Sequence, residues 1–165
     1  MSERTVFVGG PIQEALKSGR IVRTLSYVLM NIVDAFERAN FSVFSAHRAE
    51  QWGAISSTMS PEEVTSRDFS WMSASDLYVC VLPLRLDGSV WGSGGSHIEL
   101  GWASGMKLPI IVVWDPRASE QYSHLLKGLH VTTPVRYIPV TDTCGQDVVD
   151  VARGLLEDFS VKNDA

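Results

Sequence analysis

Residues 77–82 read Leu-Tyr-Val-Cys-Val-Leu, an apolar run without a break. A strand with one wet face alternates apolar and polar residues, whereas an unbroken run of this length suits a central parallel strand covered on both faces. Working outward, residues 5–8 read as a strand that ends at Gly9-Gly10-Pro11. Residues 42–45 read as a short second strand, 109–114 as a fourth and 135–139 as a fifth. Between them lie helical patterns. Over about residues 20–40, Ile21, Leu25, Val28, Leu29, Ile32, Val33 and Phe36 recur at helical spacing. Ser60-Pro61-Glu62-Glu63 is a helix start, with a Ser cap, Pro at the first helical position and Glu three residues after the cap. That helix is expected to reach about residue 74. Further helices are expected over about 97–106, 120–127 and 146–159.

Strands that alternate with helices predict one α/β domain. Its core is a doubly wound, five-stranded parallel sheet of flavodoxin-like or Rossmann-like type, with right-handed crossovers and helices on both faces. The expected order is 2-1-3-4-5, which reverses direction between strands 1 and 3 and places ligands beyond their carboxyl ends. The segments there are residues 9–12 and 83–99, both rich in Gly. The 165 residues suit a single domain over 1–165, with a frayed tail over about 160–165.

Composition narrows the function. With 45% hydrophobic and 20% charged residues the chain can build a core. A net charge of −5 argues against nucleic acid as a partner, because phosphate neutralisation needs a basic surface. Small phosphorylated ligands remain open, since backbone amides can hold a phosphate without net positive charge. The two cysteines, Cys80 and Cys144, form no C-x-x-C and no disulfide framework. The start of the chain is too short and polar for a signal peptide, and no apolar run approaches a membrane span. A cytoplasmic location without membrane association is expected. No Cys/His cluster has metal-ligand spacing, and the chemistry below needs neither metal nor organic cofactor.

The chemistry concentrates in residues 91–101, WGSGGSHIELG. Glycines allow close backbone approach, and the loop runs into a helix start that favours anions. It is neither a Walker A loop nor a dinucleotide fingerprint. Glu99 is expected in the first helical turn, where the helix dipole would keep its carboxylate ionised and fit to attack an anomeric carbon. Ser96-x-x-Glu99 also reads as a capping box, a purely structural alternative.

Residues 76–109, with GGSHIELGWASGMKLP inside them, resemble the nucleoside 2-deoxyribosyltransferase superfamily. VFVGGP at 6–11 and AHRAEQWGA at 46–54 narrow the likeness to its cytidylate (CMP and hydroxymethyl-CMP) N-glycosidases of nucleoside-antibiotic pathways. The resemblance implies hydrolysis of the N-glycosidic bond of a nucleoside 5′-monophosphate through a covalent glycosyl-Glu99 intermediate. It implies that Asp76 stands near sugar and base, and that Ser93, Gly95 and Ser96 hold the phosphate. Phe7 would lie near the base or sugar, a position that is Tyr in some members. Gly10 and Ile12 would line the opposite wall, and His47, Arg48 and Trp52 the pocket. A homodimer is implied, its sites completed by the neighbouring subunit, with Ser119 as the lent serine. Gln13 departs from the pattern, since Arg usually stands there to aid phosphate binding, and Gln offers no charge. A base-exchanging transferase on unphosphorylated nucleosides therefore stays open, as does a non-catalytic nucleotide-binding module. Asp76 could instead cap the helix that ends at Ser75, and His47 and Arg48 could form a solvated turn.

Overall fold

The computed structural model describes residues 4–12, 16–17, 20–21, 23–55, 58–91 and 93–163. Five parallel strands form one sheet: β1 Thr5–Gly9, β2 Ser42–Phe44, β3 Leu77–Leu82, β4 Ile110–Trp114 and β5 Val135–Pro139. Their order is β2-β1-β3-β4-β5, the expected 2-1-3-4-5. All six residues of β3 are buried, as its unbroken apolar run requires. Each aliphatic side chain buried there contributes on the order of 1.5–3 kcal/mol relative to exposure.

Alternation along the strands splits the core in two. Val6, Val8, Leu77, Val79, Val81, Ile111 and Val113 face α1 (Arg23–Arg38) and α6 (Gly145–Asn163). Phe7, Tyr78, Cys80, Leu82, Ile110 and Val112 face the opposite layer, with Met72 of α3 (Pro61–Ser73) and Leu100 and Ala103 of α4 (Gly94–Gly105). The start of α3 is the expected capping box. Ser60 Oγ accepts the Glu63 amide and the Glu63 carboxylate accepts the Ser60 amide. Two short helices, α2 Ala46–Ala49 and α5 His124–Lys127, and a 3₁₀ turn, Pro116–Gln121, complete the layers.

Three boundaries differ from expectation. Leu16–Lys17 and Arg20–Ile21 form a two-stranded antiparallel ribbon, so Ile21 precedes the first helix rather than opening it. Helix α4 begins three residues earlier than expected, at Gly94. Helix α6 continues to Asn163, into the segment expected to fray. Among the described residues no helix is long and apolar enough to cross a membrane.

Helices α1 and α6 meet closely at one point. The Gly145 amide donates to Asn31 Oδ1 at 2.8 Å. A β-carbon on Gly145 would stand 2.5 Å from the Asn31 carbonyl oxygen and 2.9 Å from the Ala35 β-carbon. Backbone cannot give way there as a flexible side chain would. Gly145→Ala is expected to lower stability by about 1–3 kcal/mol. The denaturant midpoint should fall with the slope unchanged.

Candidate active site

Strand β1 ends at Gly9, beside Cys80 of β3 in the parallel register. The order of the sheet reverses here, and the crevice at such a point is where open α/β sheets bind ligands. Above it stands Glu99. Helix α4 is capped by Ser93, whose Oγ accepts the Ser96 amide at 3.2 Å. The Ser93 hydroxyl donates to Ser96 Oγ at 2.7 Å. With Gly94 as the first helical residue, Glu99 falls in the second turn, not the first. The capping-box alternative fails for the same reason: the cap is Ser93, and the Glu99 carboxyl is engaged elsewhere.

That engagement is with Tyr78, whose hydroxyl donates to Glu99 Oε2 at 2.5 Å. Gly9 makes room for the pair. A β-carbon there would lie 2.7 Å from Glu99 Oε2 and 2.8 Å from the Tyr78 hydroxyl oxygen. Burial dominates the electrostatics and raises the Glu99 pKa to about 8. The Tyr78 hydrogen bond opposes the rise, and the negative charge of Asp68 adds to it. The expectation of a carboxylate kept ionised by the helix dipole is thus corrected. The dipole acts within the first turn, and desolvation outweighs it in the second.

Beside Glu99 lies a polar cluster that the sequence did not single out. Arg67 Nη2 donates to Glu50 Oε1 at 2.8 Å, and Arg67 Nε to Asp68 Oδ1 at 2.8 Å. Its guanidinium lies 4.9 Å above the Trp71 ring. Glu50 and Asp68 are buried. Burial raises the Asp68 pKa, against the pull of Arg67. All three groups are close enough to act on Glu99. One signal was legible: Val64, Asp68 and Met72 follow each other at helical spacing, so a carboxylate sits on the buried stripe of α3.

Asp76 is not part of this site. It precedes β3 at the amino edge of the sheet, and its Oδ2 accepts the Thr5 amide at 2.7 Å. It caps the start of β1, and ligands bind at the other edge. Phe7 is fully buried in the second core, its ring 6.0 Å from Trp71 and 5.4 Å from Tyr78, so it underlies the site rather than facing it. Gly10 approaches β3 so closely that a β-carbon would stand 2.8 Å from the Val81 carbonyl oxygen. Ile12 is half-buried against the first core.

His47 is buried, and its Nε2–H donates to the Pro11 carbonyl at 3.2 Å. Burial lowers its pKa to about 4, so the ring is neutral at pH 7. Its Nδ1 meets no partner among the described residues. Trp52, in a left-handed turn at φ 55°, stands 6.5 Å from that ring. Arg48 turns away to Glu37 of α1 and to the Val43 carbonyl, at 2.9 Å for the latter. Ser96 is buried against Ser93, whereas Gly94 and Gly95 are exposed at the helix start. Ser119 is half-buried in the 3₁₀ turn after β4. Gln13 lies outside the described residues.

No protein-family profile matches this sequence, and no curated protein matches it. Solved structures do resemble the fold. BlsM is 26% identical with a TM-score of 0.75, covering 96% of this chain and 94% of its own. The CMP N-glycosidase BcmB of Clostridium botulinum is 22% identical with a TM-score of 0.60, covering 90% of this chain and 99% of its own. A conserved protein from Enterococcus faecalis V583 is 16% identical with a TM-score of 0.56, over 98% and 99%.

Proposed function

We propose that this chain hydrolyses the N-glycosidic bond of a nucleoside 5′-monophosphate, CMP or hydroxymethyl-CMP in the first instance, with Glu99 as nucleophile. The observation that carries this reading is the Glu99 carboxyl held over Gly9 at the reversal point of the sheet. The likeness in fold to a CMP N-glycosidase supports it, as does the motif resemblance over residues 76–109.

The ionised Glu99 attacks the anomeric carbon. The bond from that carbon to the base breaks, and its electron pair leaves with the base, which takes up a proton. Water then attacks the same carbon, the ester to Glu99 breaks, and ribose 5-phosphate departs with the proton balance restored by solvent. In place of Asp76 we assign the second carboxyl to Asp68, a carboxylate held by Arg67 beside Glu99, which would stabilise the positive charge that develops on the sugar. The exposed start of α4 at Gly94–Gly95 offers backbone amides to the 5′-phosphate. No cofactor is required. A homodimer whose neighbour lends Ser119 fits the exposed apolar side chains Phe69 and Ile98 on the same layer as Glu99. The location we infer is the cytoplasm.

Base release from CMP, hydroxymethyl-CMP, dCMP, their nucleosides and the purine counterparts tests the reading. Glu99→Ala should lose it by at least about 10³-fold with the fold intact; undiminished release in that variant sinks the assignment. Incorporation of labelled free base into nucleoside would favour the transferase instead.

The two aspartates separate cleanly. Asp68→Asn should lose most of the activity. Asp76→Ala should keep it while losing about 0.5–1.5 kcal/mol of stability, the net worth of one hydrogen bond at an exposed site. Equal loss of activity in both variants would refute the reassignment.

Stability also reports on Glu99. Its folded pKa stands above the ordinary value, so the stabilisation from the protonated group is complete below about pH 4.5 and is lost as pH rises through 8. The Tm of the native chain should therefore fall between pH 5 and 8.5 more than that of Glu99→Gln. His47, lowered to about 4, acts equally on both and cancels in the difference.

A further inference from the structure

The hydroxyl beside the nucleophile comes from an unexpected strand. Position 7, where the motif resemblance puts an aromatic residue and in some members Tyr, is Phe here and brings no hydroxyl. Its register partner on β3 is Tyr78, on the same face of the sheet with the rings 5.4 Å apart. Tyr78 is fully buried, so its ring has one setting, fixed by Phe7 and by the core. The only side-chain partner of the Glu99 carboxyl among the described residues is the Tyr78 hydroxyl, on Oε2. The same Oε2 is the atom nearest the missing β-carbon of Gly9. Oε2 is thus held by a donor and packed against Gly9, whereas Oε1 receives no side-chain hydrogen bond among the described residues.

We propose that Tyr78 is the positioning residue of the nucleophile: its hydroxyl holds Glu99 by Oε2, favours the carboxylate over the acid, and leaves Oε1 as the attacking oxygen. This rests on the hydrolase reading above. A hydrogen bond donated to a carboxylate stabilises the charged form, and more so where water is excluded. Tyr78 keeps its proton over the working range and so remains able to donate. Burial, with the neighbouring Cys80 and Glu99, pushes its own ionisation far upward. The groups that face Glu99 are Tyr78 and Cys80 from β3, Arg67 and Asp68 from α3, and Glu50 after α2; β1 contributes only the bare Gly9. Of these, Tyr78 alone bonds to the carboxyl, and Arg67 alone brings positive charge.

The test is the pH dependence of Tyr78→Phe, which keeps the ring and removes the hydroxyl. Its kcat for base release should be about tenfold lower at pH 7, the loss shrinking to less than about 1.5-fold by pH 9.5, because the midpoint of Glu99 ionisation moves up by about one unit. KM should stay within about twofold. Replacing Tyr78 by 3-fluorotyrosine, a stronger donor of nearly the same size, should move the midpoint the other way and also covers a failure of Tyr78→Phe to fold. A midpoint that stays in place in both variants, or a loss equal at every pH, overturns the proposal. The same midpoint can be read without substrate, from the Tm difference between each variant and its Glu99→Gln counterpart across pH 5–9.5. A chain that releases no base but shows these shifts would overturn the hydrolase reading and leave the Tyr78–Glu99 coupling standing. A chain whose activity needs Glu99 but whose midpoint ignores Tyr78 would do the reverse.

Discussion

Taking a carboxyl group out of water favours its neutral form, and the arrangement around Glu99 works against that tendency. Helix α4 carries Glu99 one turn past the stretch where the helix dipole would help it. Burial then dominates. What opposes burial is local: one phenol at hydrogen-bond distance and one guanidinium whose charge is shared with two other carboxylates. For the proposed nucleophile, part of the water shell is thus already replaced by protein groups. The cost of the setting is a protonation midpoint near working pH.

The sheet supplies the geometry on which that balance depends. Gly9 must lack a side chain because Glu99 Oε2 and the Tyr78 hydroxyl fill the space a β-carbon would take. Tyr78 must lie on the α3–α4 face, which its place in β3, in register with Phe7, enforces. A slip of one residue would turn Tyr78 to the opposite face and leave the carboxyl without its donor. At the amino edge of β1 and β3, Asp76 adds one side-chain bond to the Thr5 amide.

The sheet was legible because each strand is a short apolar run bounded by turn residues, and strand order follows from parallel connectivity. Glu99 was legible as a residue but not as an environment. Sequence placed it near a helix start, whereas its protonation depends on groups from α3 and β3 far away in the chain. Tyr78 was hidden because an aromatic inside a buried strand reads as core, which it also is. Asp68 was hidden among the polar residues of α3, and only its spacing with Met72 marks it as inward-facing. The ribbon at Leu16–Lys17 and Arg20–Ile21 was missed because two-residue strands carry no periodicity to read. The capping box at Ser96 failed by three residues, since Ser93 offers the same chemistry and starts the helix earlier.

The polar cluster fits the proposed chemistry through its charge. Two buried carboxylates, Glu50 and Asp68, share one guanidinium, Arg67, and with both ionised the trio carries one net negative charge. That charge works against ionising Glu99 in the resting site. It works in the opposite sense once the glycosidic bond stretches, because the sugar ring then develops positive charge. Groups already fixed in place stabilise such developing charge without reorganising at the moment of reaction. The same carboxylates that raise the pKa of the nucleophile therefore lower the barrier to the step that follows. An anionic partner at the same place would find no such compensation. The phosphate is accordingly expected at the exposed start of α4, with its backbone amides, and the sugar between that helix start and the carboxylates.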